Sequence, residues 1–126
     1  MNILVLTGSP HKSGTSNTLA KEFIRGAEES GHSVEIYDCA KGNIHPCEGC
    51  DFCGMNGDCI QKDDGNKVLN KLLKCDVVVF ATPVYYFGMS AQLKMMIDRF
   101  YARNGAITVK DLVQCLLQQL GTMTVS

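Results

Sequence analysis

No apolar run in this sequence approaches the length that crosses a bilayer. The N-terminal MNILVLTGSP lacks a basic leader and a small-residue cleavage site, so it reads as a buried strand rather than an export signal. An excess of charge is also missing: 12 Lys and Arg stand against 13 Asp and Glu, a net charge of −1. That balance gives no electrostatic reason to expect nucleic acid or an acidic membrane surface as a partner. There is no internal repeat, low-complexity segment or linker, and 126 residues suit one domain over positions 1–126. Neither G-x-G-x-x-G nor a Walker loop occurs, which argues against a dinucleotide or a nucleoside triphosphate.

What the chain has is a regular alternation of apolar runs and amphipathic stretches. NILVLT (2–7) and DVVVFAT (76–82) are continuous apolar runs, the pattern of strands buried on both faces. A third strand is expected at 32–37, where Val34 and Ile36 alternate with polar neighbours. Between them, Leu19, Phe23, Ile24 and Ala27 fall on one helical face over 16–30, with Gly31 as a stop. Asp63 or Asp64 caps a second helix through Val68, Leu69, Leu72 and Leu73, and Ser90 starts a third with Leu93, Met96, Ile97, Phe100 and Tyr101. Lys94, Asp98 and Arg99 are assigned to its solvated side. Strand and helix in alternation predict a parallel α/β sheet, doubly wound in the order 2-1-3.

In such a sheet, ligands bind where the strand order reverses, at the carboxyl ends of strands one and three. Two loops leave those ends. GSPHKSGTSNT (8–18) is rich in hydroxyls and opens into a helix N-terminus, which favours a phosphate. PVYYFGMS (83–90) carries two tyrosines and a phenylalanine beside Gly88, which suits a flat heteroaromatic ring. A capping turn and a plain sheet-closing loop would explain each separately. Together they point to a mononucleotide with a tricyclic ring.

Cysteine is plentiful, with seven in the chain and four of them in HPCEGCDFCGMNGDC (45–59) at spacing C-x2-C-x2-C-x5-C. Without an export signal a reducing cytoplasm is expected, where such a group signals metal or redox chemistry rather than structural bridges. The compact spacing is that of iron–sulfur sites. Zinc is a weaker rival, because its paired cysteines are usually set farther apart. A dithiol couple of Cys50 with Cys47 or Cys53 and a loop of idle thiols both stay open. Cys39, Cys75 and Cys115 are given no role.

The segments GSPHKSGTSNT, PCEGCDFC…DC and TPVYYFGMSAQLKMMIDRF resemble the flavodoxin-like NAD(P)H-dependent FMN reductases, and within them the iron–sulfur flavoprotein branch. The resemblance covers Met1 to about Gly105, leaving 106–126 as an atypical tail. It implies FMN, with the phosphate on Ser9, His11, Ser16, Asn17 and Thr18 and the ring against Pro83, Val84, Tyr85, Tyr86, Phe87 and Gly88. His11 stands where many relatives carry arginine. The resemblance also implies a four-iron (4Fe-4S) cluster on Cys47, Cys50, Cys53 and Cys59, and NAD(P)H as co-substrate. The activity it implies passes electrons through FMN to a small-molecule acceptor or a redox protein. A non-enzymatic flavodoxin-type carrier is the rival, although such carriers tend to be strongly acidic. A shortened domain that binds flavin weakly is another.

The tail VKDLVQCLLQQLGTMTVS is read as a helix, with Val113, Leu116, Leu117 and Leu120 at helical spacing and Gly121 as a stop. A shifted reading frame ending at an accidental stop would give such a tail. With only three strands, DVVVFAT would lie at the sheet edge, and a homo-oligomer is expected to cover it.

Overall fold

The computed structural model describes residues 1–11, 14–110 and 112–118. Four strands, β1 (Asn2–Thr7), β2 (Ser33–Asp38), β3 (Val77–Thr82) and β4 (Val113–Gln118), form one sheet in the order β2-β1-β3-β4. Every pairing is parallel, with Thr7 opposite Asp38 in β2 and opposite Ala81 in β3. Helices α1 (Thr15–Glu29), α2 (Gly65–Lys74) and α3 (Ala91–Asp98) connect them, followed by a 3-10 segment (Arg99–Arg103) and α4 (Asn104–Val109).

The alternation of side chains along a strand sorts the core into two layers. Leu4, Leu6 and Val78 face α2 and α3, where Val68, Leu69, Leu72, Leu93 and Met96 are buried with them. Ile3, Val5, Val79 and Ala81 face the other way, onto Ala20 of α1 and its partly buried neighbours. The unbroken apolar runs from Ile3 to Leu6 in β1 and from Val77 to Ala81 in β3 are what a sheet covered on both faces requires. Each fully buried aliphatic side chain contributes about 1.5–3 kcal/mol.

The tail corrects two expectations. Residues 113–118 are a strand rather than a helix, paired with β3 from Val77↔Val113 to Thr82↔Gln118. VQCLLQ holds a single β-branched residue, and Leu and Gln are good helix formers, so local preference pointed the wrong way. Pairing with an apolar neighbour strand overrides it. Leu120 and Gly121 lie outside the described residues. β3 is therefore an interior strand, and β4 holds the edge that β3 was expected to leave open.

Candidate functional site

The carboxyl ends of the strands are drawn tightly together. Gly8 N–H donates to Ala81 O at 2.9 Å, and Cys39 N–H to Thr7 O at 2.8 Å. A Cβ on Gly8 would lie 2.5 Å from Ser90 Oγ and 2.7 Å from Leu93 Cβ, so only glycine lets the loop after β1 rest on the start of α3. Both loops singled out by sequence thus leave one place, where the chain turns to β2 on one side and to β4 on the other.

In the first loop most side chains have internal partners. Ser9 Oγ accepts from His11 N–H at 3.1 Å and donates to His11 O at 3.2 Å. Asn17 Nδ2 donates to His11 O at 2.8 Å, and Thr18 Oγ1 donates to Gly14 O at 3.2 Å. Ser9 and Asn17 therefore brace the loop, and Thr18 closes the first turn of α1. Ser16 differs: it is 2% exposed, and its Oγ has no hydrogen-bond partner among the described residues. α1 has Gly14 at its N-cap with no side-chain cap and no acidic residue in its first turn. Its first N–H groups and positive dipole end are the groups that bind an anion.

The second loop is a tight turn with unusual occupants. Tyr85 N–H donates to Gly88 O at 2.9 Å, and Gly88 N–H to Tyr85 O at 3.1 Å. Tyr86 and Phe87 at its corners have φ of 44° and 72°. Two positive φ values define the turn type normally filled by Asn-Gly, and here two aromatics occupy it. Left-handed backbone at non-glycine residues is strained, and such strain gathers at functional sites. The rings stand in edge contact, centroids 5.4 Å apart at 80°, and are 83% and 77% exposed. Pro83 is buried, and Val84, Tyr85 and Gly88 are half-buried. Tyr85 Oη is buried without a partner among the described residues. The loop's ends are fixed by Thr82 Oγ1, which donates to Pro83 O and accepts from Ser90 N–H, each at 2.9 Å.

These residues fit FMN on structural grounds. Each loop holds one buried hydroxyl that has no partner among the described residues, Ser16 Oγ and Tyr85 Oη. A buried hydroxyl left unpaired costs about 1–3 kcal/mol, so a partner from outside the chain is favoured. We expect Ser16→Ala to weaken FMN binding by about 1–2 kcal/mol while leaving the free protein as stable or slightly more so. Flavin titration and urea unfolding of the same variant check the two halves, and unchanged FMN affinity would remove Ser16 from the site.

The cysteine loop is a second constellation. Cys47 and Cys50 are exposed, Cys53 and Cys59 partly buried, and all four line one cavity together with Arg99 and Tyr101. The donor set, four thiols around one space, fits a soft-metal centre. They do not form a closed shell: among the described residues, no three His, Cys, Asp or Glu side chains could hold a metal ion. The cavity is small, about 20 Å³, and Cys47 and Cys50 lie on its exposed side. Ligand convergence on metal binding is the usual order of events.

Arg99 is the residue that sequence reasoning misplaced. It is not on a solvated face but is 1% exposed, its guanidinium forked onto Asp63 at 2.7 and 2.9 Å and bonded to His45 O at 2.9 Å. Asp63 also accepts from the N–H groups of Gly65 and His45, each at 2.9 Å. Burial pushes the Asp63 carboxyl up, but Arg99 and these N–H groups outweigh it and hold it well below the usual carboxylate range. Asn66 brackets Cys59 through Cys59 N–H at 2.8 Å and Cys59 O at 3.1 Å. Tyr101 Oη donates to Asp51 Oδ1 at 2.7 Å. Helical spacing drew Arg99 into an exposed stripe, and the signal for burial, an aspartate 36 positions away, is invisible in a local window.

Among curated proteins, an iron–sulfur flavoprotein of Archaeoglobus fulgidus is 38% identical over 99 residues, spanning 79% of this chain and 48% of that protein. One from Methanocaldococcus jannaschii is 35% identical over 99 residues, with 79% and 51% covered. The chain spans about half the length of the curated relatives it matches. An azoreductase structure from Bacillus anthracis superposes with a TM-score of 0.73 at 21% identity, over 93% of this chain and 67% of that one, which shows a shared flavodoxin-like fold. The family described as NADPH-dependent FMN reductase matches residues 1–120, past the Gly105 limit that motifs alone set and through the strand that replaced the expected helix. With that span matched, the chain belongs to the NADPH-dependent FMN reductase family.

Proposed function

We propose that this chain binds FMN at the carboxyl ends of β1 and β3 and serves NAD(P)H-dependent reduction of a small acceptor or a redox protein. When bound, the flavin supplies hydride acceptance from a reduced nicotinamide and onward electron transfer. The observation that carries the reading is a pair of buried hydroxyls without a partner among the described residues, Ser16 Oγ and Tyr85 Oη, one in each loop of the same strand ends. Ser16 and the first-turn N–H groups of α1 would hold the phosphate. Ser9 and Asn17 would keep the loop in shape around it, and His11 would stand at its exposed rim. Tyr85, Tyr86 and Phe87 would hold the ring, with Pro83 as a rigid floor.

The test is absorption titration with FMN followed by steady NADPH oxidation. Saturable flavin bands with turnover support the reading. Flavin binding without turnover would indicate a carrier, and no binding at micromolar protein would overturn the site.

The same reading gives Cys47, Cys50, Cys53 and Cys59 to an iron–sulfur centre, supported by their shared cavity and by the names of the relatives. We expect Cys50→Ser and Cys53→Ser each to abolish iron binding while FMN stays bound, because the two groups sit on different loops. Iron and sulfide assays beside flavin absorbance check this.

Association of the chain with itself belongs to the proposal too. β4 is an edge strand without charged residues, and Val113 and Leu116 are exposed on it. Light scattering at micromolar concentration is expected to show a species heavier than the 13.8 kDa chain. A single species at that mass would show that the edge stands alone.

A further inference from the structure

We propose that Arg99 is a positioning residue of the cysteine site, a buried cation that offsets the negative charge a thiolate-bound iron centre gathers. This rests on the reading that the four cysteines hold such a centre. Arg99 lines their cavity, and Asp63 does not. Asp63 takes the two terminal nitrogens of the guanidinium and fixes its plane. The remaining nitrogen, Nε, is buried with no hydrogen-bond partner among the described residues, in a side chain only 1% exposed. A buried donor left over in an otherwise bonded guanidinium calls for a partner, and the cavity that Arg99 shares with the four cysteines is where one would sit.

Its neighbour in the cavity is Cys59. Both residues line it, and Cys59 is partly buried there. Cys59 is itself pinned, since Asn66 grips its backbone on both sides. One ligand and its counter-cation are therefore both immobile, while Cys47 and Cys50 lie on the exposed lip. A closed half and an open half suit a site that fills from outside and then needs charge balance within.

The chemistry follows from simple electrostatics. Four thiolates and an iron–sulfur core carry net negative charge. Uptake of one electron, from a reduced flavin or another one-electron donor, makes the centre more negative by one. A nearby buried cation favours the reduced form, so it raises the reduction potential, and hydrogen bonds to the sulfurs act in the same direction. The carboxylate of Asp63 opposes this from the far side of the guanidinium, so the two residues pull the potential in opposite directions.

That opposition gives the test. Anaerobic reconstitution with ferrous iron and sulfide, then dithionite titration, reads both loading and potential. The double variant Asp63→Asn/Arg99→Gln leaves no buried charge unpaired, so it keeps the fold, and we expect its potential to fall below that of the unmodified chain. Asp63→Asn alone keeps the cation and loses its partner, and its potential is expected to rise. Shifts of opposite sign are not what general loosening of the loop would give. Equal potentials in the double variant and the parent, at equal iron load, would overturn the proposal, as would shifts of the same sign. If Asp63→Asn does not fold, the double variant decides alone. If the parent chain takes up no iron, the iron–sulfur reading falls first and this proposal with it, an outcome distinct from loaded proteins with coincident potentials.

Discussion

Replacing Tyr86 by Asn and Phe87 by Gly is expected to make the protein more stable and its FMN binding weaker. Both residues hold positive φ in a turn closed by two backbone hydrogen bonds. Strained backbone of this kind costs about 1–3 kcal/mol per residue. Asn-Gly is the pair that such a turn prefers, so the exchange relieves the strain without altering the path of the chain. The relief is not offset by lost burial, because both rings are largely exposed. A gain of about 1–2 kcal/mol in urea unfolding is expected on that basis. The same exchange removes two aromatic faces from the end of β3. Offset or edge contacts between rings contribute about 0.5–1.5 kcal/mol each, so FMN affinity is expected to fall by about tenfold or more. An exchange that raised stability and left FMN binding intact would show that the aromatics serve neither fold nor flavin.

Arg99→Met should have the largest effect on folding itself. It leaves the Asp63 carboxylate, 2% exposed, without its cation. Breaking one side of a buried ion pair costs about 3–5 kcal/mol, against a total stability for such a domain of about 5–15 kcal/mol. The loss has a pH signature. Asp63 is depressed in the folded state, whereas an unfolded aspartate takes up its proton near about pH 3.9. Its contribution is therefore whole above that pH and fades as pH falls toward the folded value. The gap between parent and variant should be wide at pH 7 and narrower at pH 3. Denaturant unfolding at the two pH values checks it, and a gap that widens in acid would contradict the assigned ion pair.

How far the sequence foretold this molecule depends on the range over which each feature is encoded. β1 and β3 were legible because residues buried on both faces leave an apolar run that no other element of that length needs. Ser90 was legible as a cap, and its Oγ does accept from Leu93 N–H at 3.2 Å. The two loops were legible by composition, and the order of the strands brings them to one end of the sheet. β4 was not, because its six residues favour a helix in isolation and become a strand only against β3. Arg99 was not, because its partner comes from the loop before α2. The strain at Tyr86 and Phe87 was hidden for a different reason: residue type shows what a turn contains, but not the sign of φ it imposes.

The place of β1 in the sheet sets a timetable for synthesis. It precedes β2 and β3 in the chain, yet it lies inside the sheet between them. Its fastening to β3 includes Asn2 N–H on Asp76 Oδ2 at 2.8 Å, across 74 positions of chain. At about 5–20 residues per second, β1 waits on the order of several seconds for that partner to be translated. During the interval an apolar strand has at best one of its two neighbours, which is the condition that draws chaperones and promotes aggregation. The loop proposed to hold the flavin ring follows β3 and is made later still. Free FMN added to a cell-free translation should therefore leave these early losses untouched, which the yield of folded chain with and without FMN checks.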